Sequence, residues 1–199
     1  MRTLIRVCTR PHALLILASA AWLAGAAPAA RATQYFYATV LSGPNESPPN
    51  ASPATGAAEV DLDDVANTMR VRVVFNGLLG TTTASHIHSA TASPGTGTAS
   101  VATTTPTFPA FPLGVTSGSY DQTFDMTQAS SYNPSFVTAH GGSVAASESA
   151  LFASIAAGTA YLNIHTTVVP GGEIRGFLTA FDPTPTATTT WGRIKALYR

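Results

Sequence analysis

From residue 35 onward, apolar and polar positions alternate with a period of two over much of the chain, which predicts a series of short strands. Residues 35–41 (YFYATVL) form the first, rich in aromatic and β-branched side chains. Residues 42–55 carry Pro44, Pro48, Pro49 and Pro53 and read as a loop, because proline cannot donate to a ladder. Residues 56–62 give a second strand. Residues 68–75 give a third, with Met69, Val71, Val73 and Phe75 on one side and Arg70 and Arg72 on the other; Asn76-Gly77 ends it as a turn.

Further along, residues 84–89 form a short strand that carries two histidines. Residues 90–118 are rich in Thr, Pro and Gly, with one strand near 100–104 and with Phe108 and Phe111 tacking the loop onto the body. Residues 118–127 place Tyr120, Gln122, Phe124 and Met126 in one row. One helix is predicted, over 147–157 (SESALFASIAA), with Ser147 as N-cap, Leu151, Phe152 and Ile155 as the apolar stripe, and Gly158 as the stop. Residues 161–168 and 173–181 are the last two strands, joined by a Pro170-Gly171-Gly172 turn. Six to eight short antiparallel strands, one short helix in a loop and no internal repeat predict an all-β fold, a Greek-key β-sandwich or barrel.

The two ends break this pattern. Arg2, Arg6 and Arg10 precede an apolar stretch at 13–24, and small residues lead to Ala30-Arg31-Ala32. That arrangement reads as a signal peptide over 1–32, cleaved before Thr33, with Ala27-Pro28-Ala29 as an earlier alternative. The expected location is therefore secreted: extracellular, periplasmic or in the cell envelope. Residues 182–190 form a stiff Pro/Thr linker. Residues 191–199 (WGRIKALYR) are a basic, aromatic tag, either a disordered terminus or a signal for cell-surface sorting or docking. It is too short to span a membrane, and no transmembrane helix is expected in the mature chain.

Composition narrows the chemistry. The only cysteine, Cys8, lies in the signal segment, so the mature chain has neither disulfide nor thiolate ligand, and its stability must come from a buried core. Four of the ten basic residues also belong to that segment; six then face ten acidic ones, a net charge near −4. Nothing resembles a polybasic stripe, which excludes nucleic acid as an expected partner. No Gly-rich phosphate loop precedes a helix, and no G-x-S-x-G elbow occurs. Glu59, Asp61, Asp63 and Asp64 bunch at a strand end without the spacing of a calcium loop. Asn45-Glu46-Ser47 and Asn50-Ala51-Ser52 are glycosylation sequons, meaningful in a eukaryotic host.

The mature chain has four histidines. His86 and His88, at i and i+2 on a strand, point to one face, with Ile87 on the other. In residues 161–166 (YLNIHT), His165 shares a face with Tyr161 and Asn163, opposite Leu162 and Ile164. If the two strands meet, three imidazoles converge on one ion at ~2.0–2.1 Å, a ligand set suited to zinc or copper. The alternative is three hydrogen-bonding structural histidines. His140, in a loop, is a candidate fourth ligand or a solvated bystander. Glu173 and Arg175 share a face on the last strand, either as an exposed ion pair or as supporting and anion-binding residues beside the histidines.

Several segments, in this order, resemble the chordin-type (CHRD) domain family: residues 41–49 (LSGPNESPP), Phe75-Asn76-Gly77-Leu78, Ser85-His86-Ile87-His88, residues 161–166, and residues 170–176 (PGGEIRG). The resemblance runs from about Gln34 to Phe181 and is weakest over 91–149. It implies a secreted β domain of the kind found in chordin and in many secreted bacterial proteins; the candidate partners are an extracellular protein or cell-surface sorting machinery acting on residues 191–199. A fainter likeness is to copper/zinc superoxide dismutase, by which His86, His88 and His165 match copper ligands and Arg175 an anion-guiding arginine. The chain lacks that family's disulfide and zinc loop, and His140 is its one candidate for the bridging ligand. The expected function is thus a non-enzymatic secreted module that binds a metal (copper or zinc) or a partner through the face bearing His86, His88, His165 and Arg175. The alternatives are a dismutase-like copper redox enzyme and a structural or adhesive envelope domain.

Overall fold

A computed structural model describes residues 34–181; the signal segment, the Pro/Thr linker and the basic tag lie outside the described residues. The elements in chain order are β1 (Gln34–Ser42), β2 (Thr55–Asp63), β3 (Thr68–Asn76), β4 (Thr82–His88), β5 (Gly118–Asp125), α1 (Pro134–Ala139), α2 (Val144–Ala156), β6 (Tyr161–Thr166), β7 (Ile174–Phe177) and β8 (Thr179–Ala180). All strand pairs are antiparallel, in one sheet of order β4-β6-β7-β1-β2-β3-β5, with β8 beside β1. Among the described residues, no helix is long and apolar enough to cross a membrane.

Alternation dictates which face each strand buries. On β3, Met69, Val71, Val73 and Phe75 are at most 4% exposed, while Arg70 reaches Asp121 and Arg72 reaches Asp61 and Glu59 on the outside. Ile87 of β4, Leu162 and Ile164 of β6 and Ile174 of β7 join the same core as Val60 and Val71 from the opposite half of the sheet. Strands so far apart in the sheet share one core because the sheet curls, as twisted antiparallel sheets do. The result is a half-barrel.

The outer edge of β4 is sealed by the connection to β5. Phe108 N–H donates to Ser85 O, Thr82 N–H to Val115 O and Gly114 N–H to Thr82 O. An edge so covered cannot pair with another chain. The strand expected near 100–104 is not a ladder: this stretch makes isolated bridges, Val101 to His88 and Thr103 to Tyr132. Phe108 and Phe111 enter the core as expected, against Tyr120 and Phe75.

The predicted helix corresponds to α2, but it begins earlier. Ser143, not Ser147, is the N-cap, accepting from Ala146 N–H at 3.2 Å. Ser147 lies buried in the first turns and donates back to Ser143 O. Both serines precede apolar positions, so the local pattern fits either as cap. The same connection holds α1, capped by Asn133 with Pro134 in its first position. The last predicted strand is broken at buried Leu178 into β7 and β8, and Glu173 falls outside it.

Candidate metal centre

β4 and β6 pair with His86 opposite Asn163, His88 opposite Tyr161 and Ala84 opposite His165. Because side chains alternate, His86, His88, Tyr161, Asn163 and His165 share the face away from the core isoleucines. Arg175 of β7, opposite Asn163, continues the row. This face is not open to solvent. The 91–107 connection and the turn after β1 roof it, so that His86 and His88 are buried and His165 is half-buried.

The three imidazoles meet. Ring centres are 5.8 Å apart for His86 and His88, 5.3 Å for His86 and His165, and 6.2 Å for His88 and His165. Each ring offers one nitrogen within 4.8 Å of those of the other two. Three nitrogens bound to one ion at 2.0–2.1 Å lie about 3.3–3.6 Å from one another. Shifts of about 0.7 Å per ring close the widest gap.

Each ring is also held by a backbone carbonyl: His86 Nε2 by Pro106 O at 2.6 Å, His88 Nδ1 by Ala99 O at 2.8 Å, and His165 Nδ1 by Pro170 O at 2.8 Å. A carbonyl only accepts, so the proton sits on the nitrogen facing it and the tautomer is fixed. The opposite nitrogens, His86 Nδ1, His88 Nε2 and His165 Nε2, carry free lone pairs, are buried and have no partner. Donating the second ring N–H to a carbonyl is how proteins orient metal-binding histidines.

The electrostatics keep those lone pairs free. Burial pushes His86 down to about 4, against the hydrogen bond to Pro106 and helped by the neighbouring His165 and His88. Burial lowers His88, with His165 and Arg175 adding to the effect, and burial lowers His165 against its bond to Pro170. Near neutral pH all three rings are in the uncharged form that a metal requires.

The other sequence candidates fall differently. His140 is not part of the group; it caps α1, where its Nδ1 bonds Phe136 O at 2.8 Å and its ring packs on Phe136. Glu173 and Arg175 do not pair. Glu173 is fully buried and accepts from Ser52 Oγ, Leu79 N–H, Gly80 N–H and Thr166 Oγ1 at 2.6–3.3 Å. Burial raises its pKa, but those four donors outweigh it and hold the carboxyl below its usual range. Arg175 is buried beside the histidines. It donates to Asn45 O and, at 3.1 Å, to Gly97 O, lies 4.7 Å over Tyr161, and faces Glu46 at 3.7 Å. It clamps the two roofing segments together.

Three neighbours complete the surroundings, and of these alternation places only Asn163 on the histidine face. Asn163 has a buried Oδ1 without a partner. Glu46 is 6% exposed, and burial drives its carboxyl up to about 7 although Arg175 and the Ser47 N–H pull it down. Gly172, at φ +127°, leaves the space both need: a Cβ there would stand 2.5 Å from Glu46 Oε1 and 2.9 Å from Asn163 Nδ2. Of six buried side-chain atoms left unpartnered among the described residues, five lie in this patch, where lone pairs and polar atoms converge.

No curated protein and no solved structure matches the chain. The CHRD domain family matches residues 37–178, from within β1 to the end of β7 and including the histidine face. This chain belongs to the CHRD domain family.

Proposed function

We propose that the protein is a secreted CHRD-domain binding module that holds one zinc or copper ion through His86, His88 and His165. One observation carries the reading: three buried imidazole nitrogens without partners, on rings whose other nitrogens are each fixed by a backbone carbonyl. Structural histidines would use both nitrogens or turn one to water; here the lone pairs are desolvated and left without donors, a cost of about 1–3 kcal/mol each that a cation removes. The all-nitrogen neutral set suits zinc or copper rather than calcium or magnesium, which take oxygen ligands. Secretion rests on the signal-like first 32 residues, and residues 191–199 are the segment offered to sorting machinery at the cell surface.

The test is metal analysis of the purified protein beside a His86→Ala/His88→Ala variant, followed by chelation. The expected result is near-stoichiometric zinc or copper in the wild type and none in the variant. Reloading at a hundredfold excess over the dissociation constant should stabilise only the wild type, by about 2.7 kcal/mol. A wild type that binds neither ion, or a variant that binds as well, overturns the reading.

A further inference from the structure

We propose that Asn163 is the fourth ligand of this centre, its carboxamide Oδ1 completing a His3Asn set that closes around the ion. The inference rests on the reading of the three histidines as a metal centre. Closed zinc sites in proteins are four-coordinate, and three imidazoles leave one position to fill.

Elimination points to a neutral oxygen. Among the described residues no aspartate, glutamate or cysteine joins the three histidines within ligand range. The nearest acid in the patch, Glu46, is turned to Arg175. His140 is spent on α1. Asn163 is in place: it is 2% exposed, stands between Tyr161 and His165 on the same face of β6, and pairs across the ladder with His86. It is also the diagonal neighbour of His88, which pairs with Tyr161 two residues before it on β6.

The chemistry of these two neighbouring side chains carries the argument. The His88 proton is committed to Ala99 O through Nδ1, so His88 Nε2 presents a lone pair. Asn163 Oδ1 also presents only lone pairs. Both atoms are buried and neither has a donor. Two desolvated acceptors on one buried face each cost free energy until something positive satisfies them. A metal ion satisfies both together with His86 Nδ1 and His165 Nε2. Gly172 keeps the carboxamide in position, since a side chain there would strike Asn163 Nδ2 at 2.9 Å.

The test uses the full protein, stripped and titrated with zinc and with cobalt(II), in the wild type, Asn163→Leu and Asn163→Asp. Leucine keeps the volume and removes the oxygen; aspartate keeps the oxygen and adds charge. For Asn163→Leu, zinc affinity is expected to fall at least about tenfold, the loss typical when a group that tunes or holds a metal is removed. The visible spectrum of the cobalt form should change with it. The metal-free Leu variant should melt no lower than the wild type, because it loses an acceptor that had no partner. Asn163→Asp is expected to bind zinc more tightly. Unchanged zinc affinity and an unchanged cobalt spectrum in Asn163→Leu overturn the proposal while leaving the three-histidine centre intact. If the Leu variant fails to fold, the Asp variant decides: tighter binding supports the assignment and unaltered binding overturns it. A wild type that takes up neither metal overturns the centre itself.

Discussion

His88 and Tyr161 stack face to face across the β4–β6 pair, their ring centres 4.7 Å apart and their planes 5° from parallel. The two residues also meet at Ala99, whose carbonyl takes the His88 Nδ1–H at 2.8 Å and the Tyr161 hydroxyl at 3.4 Å. Over the same tyrosine ring lies the Arg175 guanidinium, at 4.7 Å. Tyr161 therefore fixes the plane of one candidate ligand and links it to the clamp that holds the roof.

Replacement of Tyr161 separates these roles. Tyr161→Phe keeps the stack and loses two long hydrogen bonds with Ala99, so zinc or copper affinity should stay within about threefold of the wild type. Tyr161→Ala frees the His88 ring and opens a cavity; affinity should fall about 10–100-fold and stability by about 3–5 kcal/mol. Isothermal titration and denaturant unfolding check both, and equal affinity in the Phe and Ala variants rules out the orienting role.

Glu46 supplies a pH test. Burial holds its folded-state pKa near 7, above the ordinary value of 4.5 that the unfolded chain restores. For a raised carboxyl, the stabilising contribution is complete below about 4.5 and is lost as pH rises through about 7, because the unfolded chain ionises first. Glutamine does not titrate. The stability of Glu46→Gln relative to the wild type should therefore climb by about 3 kcal/mol between pH 4.5 and pH 8, on top of whatever constant offset the substitution brings. Denaturant unfolding at several pH values measures it, and a flat difference refutes the buried-acid account.

How much of this was legible in the sequence follows the physics of each feature. Strict alternation on β3 fixed which side of Met69, Val71, Val73 and Phe75 would be buried, and the same rule put His86, His88 and His165 on one face. The CHRD resemblance, carried by the segments around residues 41–49, 85–88 and 161–176, was also readable, and the family match confirms it. What alternation could not show was the roof. The 91–107 connection has no period, and its contribution is made by backbone carbonyls, Ala99 O and Pro106 O, to which side-chain identity gives no clue. Alternation put Asn163 on the histidine face without showing that it is buried, and Glu46 read as a loop acid, because their burial comes from segments distant in sequence. The i, i+2 spacing of Glu173 and Arg175 implied a shared strand face, yet the strand starts only at Ile174, and each residue finds partners elsewhere.

Glu173 ties the fold to the candidate centre, and its removal should be felt in both. Its carboxylate gathers Ser52 from the loop after β1, Leu79 and Gly80 from the β3–β4 connection, and Thr166 from the end of β6. Thr166 follows His165, and the turn that Glu173 closes contains Pro170, whose carbonyl orients the His165 ring. Glu173→Ala strands four donors at once, three of them in buried hydrogen bonds worth about 1–3 kcal/mol each when unsatisfied, so a loss of at least about 3 kcal/mol is expected. Against a total stability of about 5–15 kcal/mol, such a loss brings the protein close to unfolding at ordinary temperature. Glu173→Gln retains the shape and one acceptor oxygen but sets its own N–H2 against donors, and should cost roughly half as much. In that milder variant the β6–β7 turn loosens while the sheet survives, so zinc affinity should drop about tenfold with His86, His88 and Asn163 untouched. Unfolding and zinc titration of Glu173→Gln together check the link: full metal affinity in a protein measurably destabilised would show that the turn anchors the sheet and leaves the His165 ring indifferent.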